Sequence, residues 1–287
     1  MAFDLIIKLH CFLSLLALCL AIPHPPLEPS RPHGLSIGRR DLTYDENFFN
    51  FQDTSQEKRI MSALNLIPQL INWFLDQDIS LIDTIMSKYF LPEHVPVALQ
   101  VFRNAANPSL WTDDLHVYGE DWQNMCATGH DGRPTAAYTI LSQGDQCSTK
   151  SSMHFCTSPL NAYGFPSIRP LTCSSLAPEL KVSPSMATFE GFLVFHELMH
   201  VRDITEGPLT QYNPPYGVTI DVTYGPVKCR ALRQDSTNAH KAIFNADSYA
   251  IAATELYTTR LCRSNLQSQG LTYLKDPTEN NWMGPSA

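Results

Sequence analysis

The segment His196-Glu197-Leu198-Met199-His200 constrains the fold more than any other part of the sequence. Its two histidines are four residues apart, and a helix brings side chains with that spacing onto one face. Ser183 is a suitable N-cap for this helix, and Pro184 suits its first position. Apolar residues follow at helical spacing, namely Met186, Phe189, Leu193, Val194 and Val201. The pattern predicts an amphipathic helix that presents both imidazoles together.

Two imidazoles on one helical face can bind a single Zn²⁺, and Glu197 lies one step round the helix. From there Glu197 can accept a proton from a water molecule that attacks a carbonyl, and can return it to a leaving amine. A catalytic zinc also needs a third protein ligand. Where some metallopeptidases have a third histidine, this sequence has Glu206. A glutamate further downstream, Glu255, is a candidate for that ligand.

The chain begins with an apolar run, Leu9 to Leu20, that ends at Ala21 and is followed by prolines. The run is too short to span a bilayer, so residues 1–21 are predicted to be a cleavable secretory signal. Residues 22–59 are rich in Pro, Arg, Asp and Asn and end at the dibasic pair Lys58-Arg59. We expect this stretch to be either a removable pro-segment or a disordered arm.

The cysteines agree with export. Those that remain after the signal are Cys126, Cys147, Cys156, Cys173, Cys229 and Cys262. An even number in a secreted chain predicts three disulfides, and proximity in sequence favours Cys126–Cys147, Cys156–Cys173 and Cys229–Cys262. A formal net charge of −8 gives no basic surface for nucleic acid. We expect a secreted, extracellular monomer without a membrane segment once the signal is removed.

Residues 60–287 predict one α+β domain, mostly helical with a small sheet pinned by disulfides. The predicted order is helices over 60–106, strands at 137–141 and 152–156, the His-Glu-x-x-His helix from Ser183, a loop over 205–216 and a last helix over 239–262.

Two further strings resemble sequence blocks of the deuterolysin-like aspzincins, a family of secreted fungal-type zinc metalloendopeptidases related to the peptidyl-Lys metalloendopeptidases. Gly217-Val-Thr-Ile-Asp-Val-Thr-Tyr-Gly225 resembles the Gly-Thr…Asp-x-x-Tyr-Gly string of that family, with an additional Val after the first Gly. Asn245-Ala-Asp-Ser-Tyr249 resembles its Asn-Ala-Asp-x-Tyr block. Together with the histidine motif, these blocks extend the resemblance over roughly Trp111 to Cys262.

The resemblance implies a zincin-like metallopeptidase fold and a role for each matching residue. Asp221 would be the third zinc ligand beside His196 and His200, and the Tyr224 hydroxyl would stabilise the developing oxyanion. Asp247, with Asn245 and Tyr249, would lie beneath the zinc or line the pocket. Because Asp221 follows His200 by 21 positions, more than the family usually has, Asp247 remains the alternative ligand. Asp203 is the least suited ligand, because it follows the motif too closely.

The expected function is that of a secreted zinc-dependent endopeptidase that hydrolyses internal bonds of proteins or peptides, with one catalytic zinc and Glu197 as general base. The alternative is a secreted binding protein or effector that keeps the fold without catalysis. Intact Glu197 and Tyr224 favour the enzyme, because a binding protein needs neither.

Overall fold

The computed structural model describes residues 49–50, 54–112, 115–119, 125–126, 135–141, 151–156, 173, 180–182, 190–212 and 217–277. Its helices are α1 (Thr54–Leu75), α2 (Ile79–Tyr89), α3 (Val95–Ala105), α4 (Glu190–Met199), α5 (Arg202–Leu209), α6 (Pro226–Gln234), α7 (Ala246–Leu261) and α8 (Arg263–Ser268). Its strands are β1 (Phe49–Asn50), β2 (Leu115–Tyr118), β3 (Ala137–Leu141) and β4 (Ser151–Phe155). Short 3₁₀ turns occupy Pro92–His94, Pro108–Leu110 and Ala239–Phe244.

The first three helices form where the apolar spacing predicts them. In α1, the predicted apolar positions Leu64, Ile67 and Ile71 are all buried in the core. The Asp78 side chain caps α2 by accepting the Ser80 N–H at 2.7 Å. Helix α1 packs against α4 and α7 and thereby supports the helix that carries His196 and ends directly before His200.

The folded domain extends upstream of the boundary predicted at Arg59. Helix α1 begins at Thr54 and continues through Lys58-Arg59 without a break. Before it, β1 pairs in parallel with β2, with Phe49 opposite Val117 and Asn50 opposite Tyr118. Regular structure therefore begins at Phe49, within the stretch 22–59 that was predicted to be a pro-segment or a disordered arm. The predicted signal, residues 1–21, lies outside the described residues.

The sheet has four strands in the order β1-β2-β4-β3. The first three strands of that order run parallel, and β3 pairs antiparallel with β4 along the sheet's edge. The two predicted strands are confirmed as β3 and β4, whereas β1 and β2, which have two and four residues, were not predicted. Strand β3 contacts α4, which places the edge of the sheet beside the motif helix.

The disulfides differ from the predicted pairing. Cys126 bonds to Cys156 at the end of β4, and Cys173 bonds to Cys262 at the end of α7, with Cα–Cα distances of 5.5 and 5.2 Å. Cys229 is free and buried on α6, and Cys147 lies outside the described residues. The pairing of sequence neighbours is wrong because the sheet and the last helix bring together cysteines that are 30 and 89 residues apart. The Cys126–Cys156 bond does pin the sheet, as expected.

The segment after the motif helix is helical where a loop was expected. Gly207 and Pro208 favoured a loop over 205–216, yet α5 includes both residues. The helix buries Ile204 and Leu209 against α3, and this packing outweighs the low helix propensity of glycine and proline. The predicted start of α4 at Ser183 lies outside the described residues.

The last predicted helix is divided in two at Asn245. A 3₁₀ turn ends at Phe244, Asn245 is extended, and α7 begins at Ala246. Helix α6, before the turn, was not predicted. Every residue of α7 from Ala246 to Leu256 is buried, which is typical of a helix at the centre of a core. The fold is thus α+β, mostly helical with a small sheet. None of the described helices has the length and apolar character needed to cross a bilayer.

Candidate metal centre

Among the described residues, one group of three potential ligand side chains comes together: His196, His200 and Asp221. One ligand atom from each lies within 4.8 Å of the other two. Asp221 Oδ1 is 3.1 Å from His196 Nε2 and 3.3 Å from His200 Nε2. His196 projects from the last turn of α4, His200 follows the last residue of that helix, and Asp221 approaches from the segment between α5 and α6.

The far nitrogen of each imidazole has an acceptor. His196 Nδ1 lies 2.7 Å from Asp247 Oδ1, and His200 Nδ1 lies 3.1 Å from the carbonyl oxygen of Thr219. A carbonyl can only accept, so a neutral His200 carries its proton on Nδ1, and the carboxylate favours the same tautomer for a neutral His196. In these neutral forms each Nε2 lone pair is free to coordinate a cation.

A short backbone bridge places Asp221 beside α4 although it is 21 residues beyond His200. The Ile220 N–H donates to the carbonyl of Phe244 at 2.7 Å, and the Ala246 N–H donates to the carbonyl of Ile220 at 3.1 Å. Helix α5 fills the intervening length of chain. The long spacing is therefore compatible with the approach of Asp221 to the histidines.

The Asn245 side chain fixes the residues that follow Asp221. Its Oδ1 accepts the N–H groups of Val222 and Thr223, both at 3.0 Å. Its Nδ2 donates to Ser248 Oγ at 3.0 Å and to Cys229 Sγ at 3.2 Å. Asn245 is fully buried, so these contacts hold the segment against the start of α7.

Two glycines bound this segment for separate steric reasons. A Cβ on Gly217 would lie 2.4 Å from the Thr210 backbone nitrogen, so the close approach to the end of α5 requires glycine. Gly225 has φ 83°, which favours glycine, and its N–H donates to Asp247 Oδ2 at 2.6 Å. Glycine is thus required at both ends of the segment from Gly217 to Gly225.

Charge within the cluster shifts the pKa of each ligand. Burial alone would raise the pKa of Asp221, but the neighbouring His196 and His200 hold it well below its usual range. Burial alone would lower the pKa of His196, but the Asp221 and Asp247 carboxylates keep it well above its usual value. The pKa of His200 is raised against the effect of burial by Asp221 as well. The site therefore attracts positive charge strongly.

Glu197 lies beside the cluster in a nearly water-free environment. It is 3% exposed, and burial raises the pKa of its carboxyl above the usual range. Thr139 on β3 donates its hydroxyl to Glu197 Oε2, with a distance of 2.8 Å. A buried carboxylate with a raised pKa suits a group that accepts and releases a proton.

Tyr224 lies on the open side of the cluster. Its side chain is partly exposed, and its ring faces the His196 ring at a centroid distance of 6.0 Å and an interplanar angle of 24°. Burial, together with the charge of Asp221 and a hydrogen bond to it, raises the pKa of the Tyr224 phenol. The phenol therefore stays protonated and remains a hydrogen-bond donor at neutral pH.

Two other residues considered as ligands from the sequence lie away from the cluster. Glu255 lies two turns beyond Asp247 on α7, and it is paired with Lys88 and accepts the Tyr89 hydroxyl at 2.6 Å. Its candidacy as a ligand is therefore wrong. Asp203 lies on α5 and is not a member of the cluster.

Tyr249 lies in the hydrophobic core instead of beneath the zinc or in a pocket wall. Its hydroxyl donates to the carbonyl of Ile243 at 2.8 Å, and its ring packs at 4.8 Å from Phe90. Two residues along a helix correspond to a rotation of about 200°, so Tyr249 and Asp247 point to opposite sides of α7.

Two residues of the site were not predicted. Thr219 supplies the carbonyl that orients His200, and its own hydroxyl donates to the Met199 carbonyl at 2.7 Å. Its position within the string before Asp221 was the available signal. No pattern in the sequence pointed to Thr139, because its contact with Glu197 joins residues that are 58 positions apart.

The ligand atoms fit a zinc ion. Two ligands about 2.0–2.2 Å from a tetrahedral zinc lie about 3.3–3.5 Å apart. The two histidine-to-Asp221 distances, 3.1 and 3.3 Å, are close to that separation. Two neutral imidazoles and one carboxylate are also the donor types that catalytic zinc sites use.

Comparison with solved structures finds a likeness to a zinc peptidase from Grifola frondosa. The sequences are 15% identical, the TM-score is 0.41, and the match covers 71% of this chain and 96% of that chain. No protein-family model and no curated protein matches the sequence. At this level of similarity, the interpretation of the site rests on its own geometry.

Proposed function

We propose that this protein is a secreted zinc-dependent endopeptidase that hydrolyses internal peptide bonds of proteins or peptides. The observation that carries the proposal is the convergence of His196, His200 and Asp221, with Glu197 and Tyr224 at its border. Two histidines with fixed tautomers and a carboxylate make a three-ligand site that leaves one position for the reaction.

The residues have distinct roles in this proposal. His196, His200 and Asp221 hold the zinc, which when bound activates water and polarises a carbonyl. Glu197 takes the proton of the attacking water and delivers it to the leaving amine. The Tyr224 hydroxyl donates to the oxyanion that forms on the former carbonyl oxygen.

Two features favour secretion. The first is the apolar leader before Ala21, and the second is the pair of disulfides in the described structure. The substrates would then be extracellular proteins or peptides.

The proposal is tested by zinc analysis and by cleavage of a fluorescence-quenched peptide that is acetylated at its N-terminus and amidated at its C-terminus. Such a peptide has no free end, so its cleavage identifies an endopeptidase. We expect one zinc per chain, and we expect activity that a chelator removes and added zinc restores. Zinc binding by the wild-type protein without cleavage of any protein or peptide would contradict the proposal and favour a binding protein.

Two variants assign the roles. Glu197→Gln should retain zinc and the fold but lose about 10²- to 10⁴-fold in kcat, because only the proton acceptor is removed. Asp221→Ala should lose zinc. Glu93→Gln and Asp83→Ala change exposed carboxylates on other helical segments and serve as matched controls.

A further inference from the structure

The edge strand β3 reaches the reaction centre through one side chain. Thr139 lies at the middle of β3, opposite Met153 of β4, and β3 contacts the helix that carries Glu197. The Thr139 hydroxyl is 2.8 Å from Glu197 Oε2 and 3.1 Å from the carbonyl oxygen of the same residue. Strand and helix are thus joined at the proposed general base.

A hydroxyl has one proton, so it donates to one of these two acceptors at a time. Hydrogen bonds to an ionised acceptor are shorter and about twice as strong as those to a neutral one. The shorter distance is the one to the carboxylate. Both acceptors belong to Glu197, so the Thr139 hydroxyl is directed towards this residue whichever of them it donates to.

A glutamate side chain has three rotatable bonds, and a general base must be within hydrogen-bond reach of the proton that it accepts. A displacement of about 1 Å at a reacting group can cost about 10²-fold in rate. The contact with Thr139 holds Oε2, which limits the positions that Oε1 can take.

We propose that Thr139 is a positioning residue that holds Glu197 Oε2 and thereby directs Oε1 towards the attacking water. This assignment rests on the proposed peptidase function, because it gives Glu197 the role of base. Thr139 itself touches neither substrate nor zinc in this assignment. Its effect passes entirely through the Glu197 carboxylate.

The test compares Thr139→Val, which keeps the shape but removes the hydroxyl, with Thr139→Ser, which keeps the hydroxyl. For Thr139→Val we expect kcat to fall about 10- to 100-fold, with KM and zinc content unchanged. Thr139→Ser should retain most of kcat. Thr258→Val removes another buried hydroxyl, one that donates within α7, and should leave kcat unchanged.

Crystal structures of the zinc-loaded wild-type and Thr139→Val proteins give a readout that does not depend on activity. We expect the Glu197 carboxylate to leave its wild-type position in Thr139→Val and to keep it in Thr139→Ser. Equal losses of kcat in both variants, or an unmoved carboxylate in Thr139→Val, would overturn the role of Thr139. An inactive wild-type protein would instead overturn the peptidase function, and the crystal structures would still decide whether Thr139 positions Glu197.

Discussion

Asp247 and His196 are joined by a contact of 2.7 Å between Oδ1 and Nδ1, beneath the proposed zinc ligands. The other oxygen of Asp247 accepts the Gly225 N–H, which follows Tyr224 directly. One buried carboxylate therefore orients an imidazole on α4 and holds the end of the segment that carries Asp221 and Tyr224. This arrangement places Asp247 behind a ligand and assigns it a supporting role.

Asp247→Asn should weaken both contacts unequally. In the asparagine side chain one carboxylate oxygen is replaced by an NH₂ group, which can only donate. The remaining oxygen can then accept from His196 or from Gly225, but the other partner loses its acceptor. Loss of a partner that orients a metal-ligating histidine typically costs about 10- to 100-fold in metal affinity or activity. We expect a loss of that size, measured by zinc titration and by kcat/KM. Asp235→Asn, at an exposed position, is the control, and equal values for the two variants would refute the supporting role.

Tyr224→Phe removes only the phenolic hydroxyl. A donor to the oxyanion acts mainly in the transition state, so its loss should lower kcat by about 10²-fold or more while KM changes little. Zinc content and the fold should be unchanged. Tyr212→Phe is a matched control, because Tyr212 and Tyr224 are 39% and 37% exposed. A wild-type kcat in Tyr224→Phe would mean that the ring only packs beside His196.

The motif helix could be predicted from the sequence because all of its signals are local. Two histidines four residues apart and an apolar stripe are enough to place both imidazoles on one face. The proposed ligand role of Asp221 could be inferred from the sequence only by resemblance. The bridge from Ile220 to α7, which brings Asp221 to the histidines, joins residues more than twenty positions apart and has no periodic signal.

The errors have the same origin. Long-range packing decides that α5 is a helix despite Gly207 and Pro208, and that the last helix is interrupted at Asn245. The disulfides likewise join cysteines that are neighbours in space. Cys173, for example, bonds to Cys262 at the end of α7. Hydrophobic periodicity reports only which face of an element is buried, and it does not report what lies against that face.

The protein without zinc should lose stability as the pH rises above about 6.5. Burial lowers the folded-state pKa of His196, but the Asp221 and Asp247 carboxylates outweigh burial and raise this pKa well above its usual value. Protonation of His196 therefore stabilises the folded protein. This stabilisation is fully present at a pH below the pKa of the unfolded state, about 6.5, and is lost as the pH rises through the pKa of the folded state. Zinc requires neutral imidazoles, so its stabilisation grows over the same interval.

The difference in Tm between the zinc-loaded and the chelated protein should therefore widen as the pH rises. Thermal unfolding in both forms, followed at several pH values, measures it. In Asp221→Asn, the chelated protein should show a weaker dependence on pH because a carboxylate partner of His196 is removed. A difference in Tm that is independent of pH in the wild type would contradict the proposed ligand set.

The last prediction concerns the dibasic pair Lys58-Arg59, which we expect to remain intact in the mature protein. Cleavage after Arg59 would remove β1 and the first six residues of α1, and would create a charged N-terminus at Ile60, which is fully buried in the intact fold. A buried, unpaired charge is strongly unfavourable. We expect N-terminal sequencing of the protein recovered from its expression host to give a start upstream of Phe49, and we expect the double variant Lys58→Ala, Arg59→Ala to leave that start unchanged. A secreted, active chain that begins at Ile60 would show that β1 and the start of α1 are dispensable.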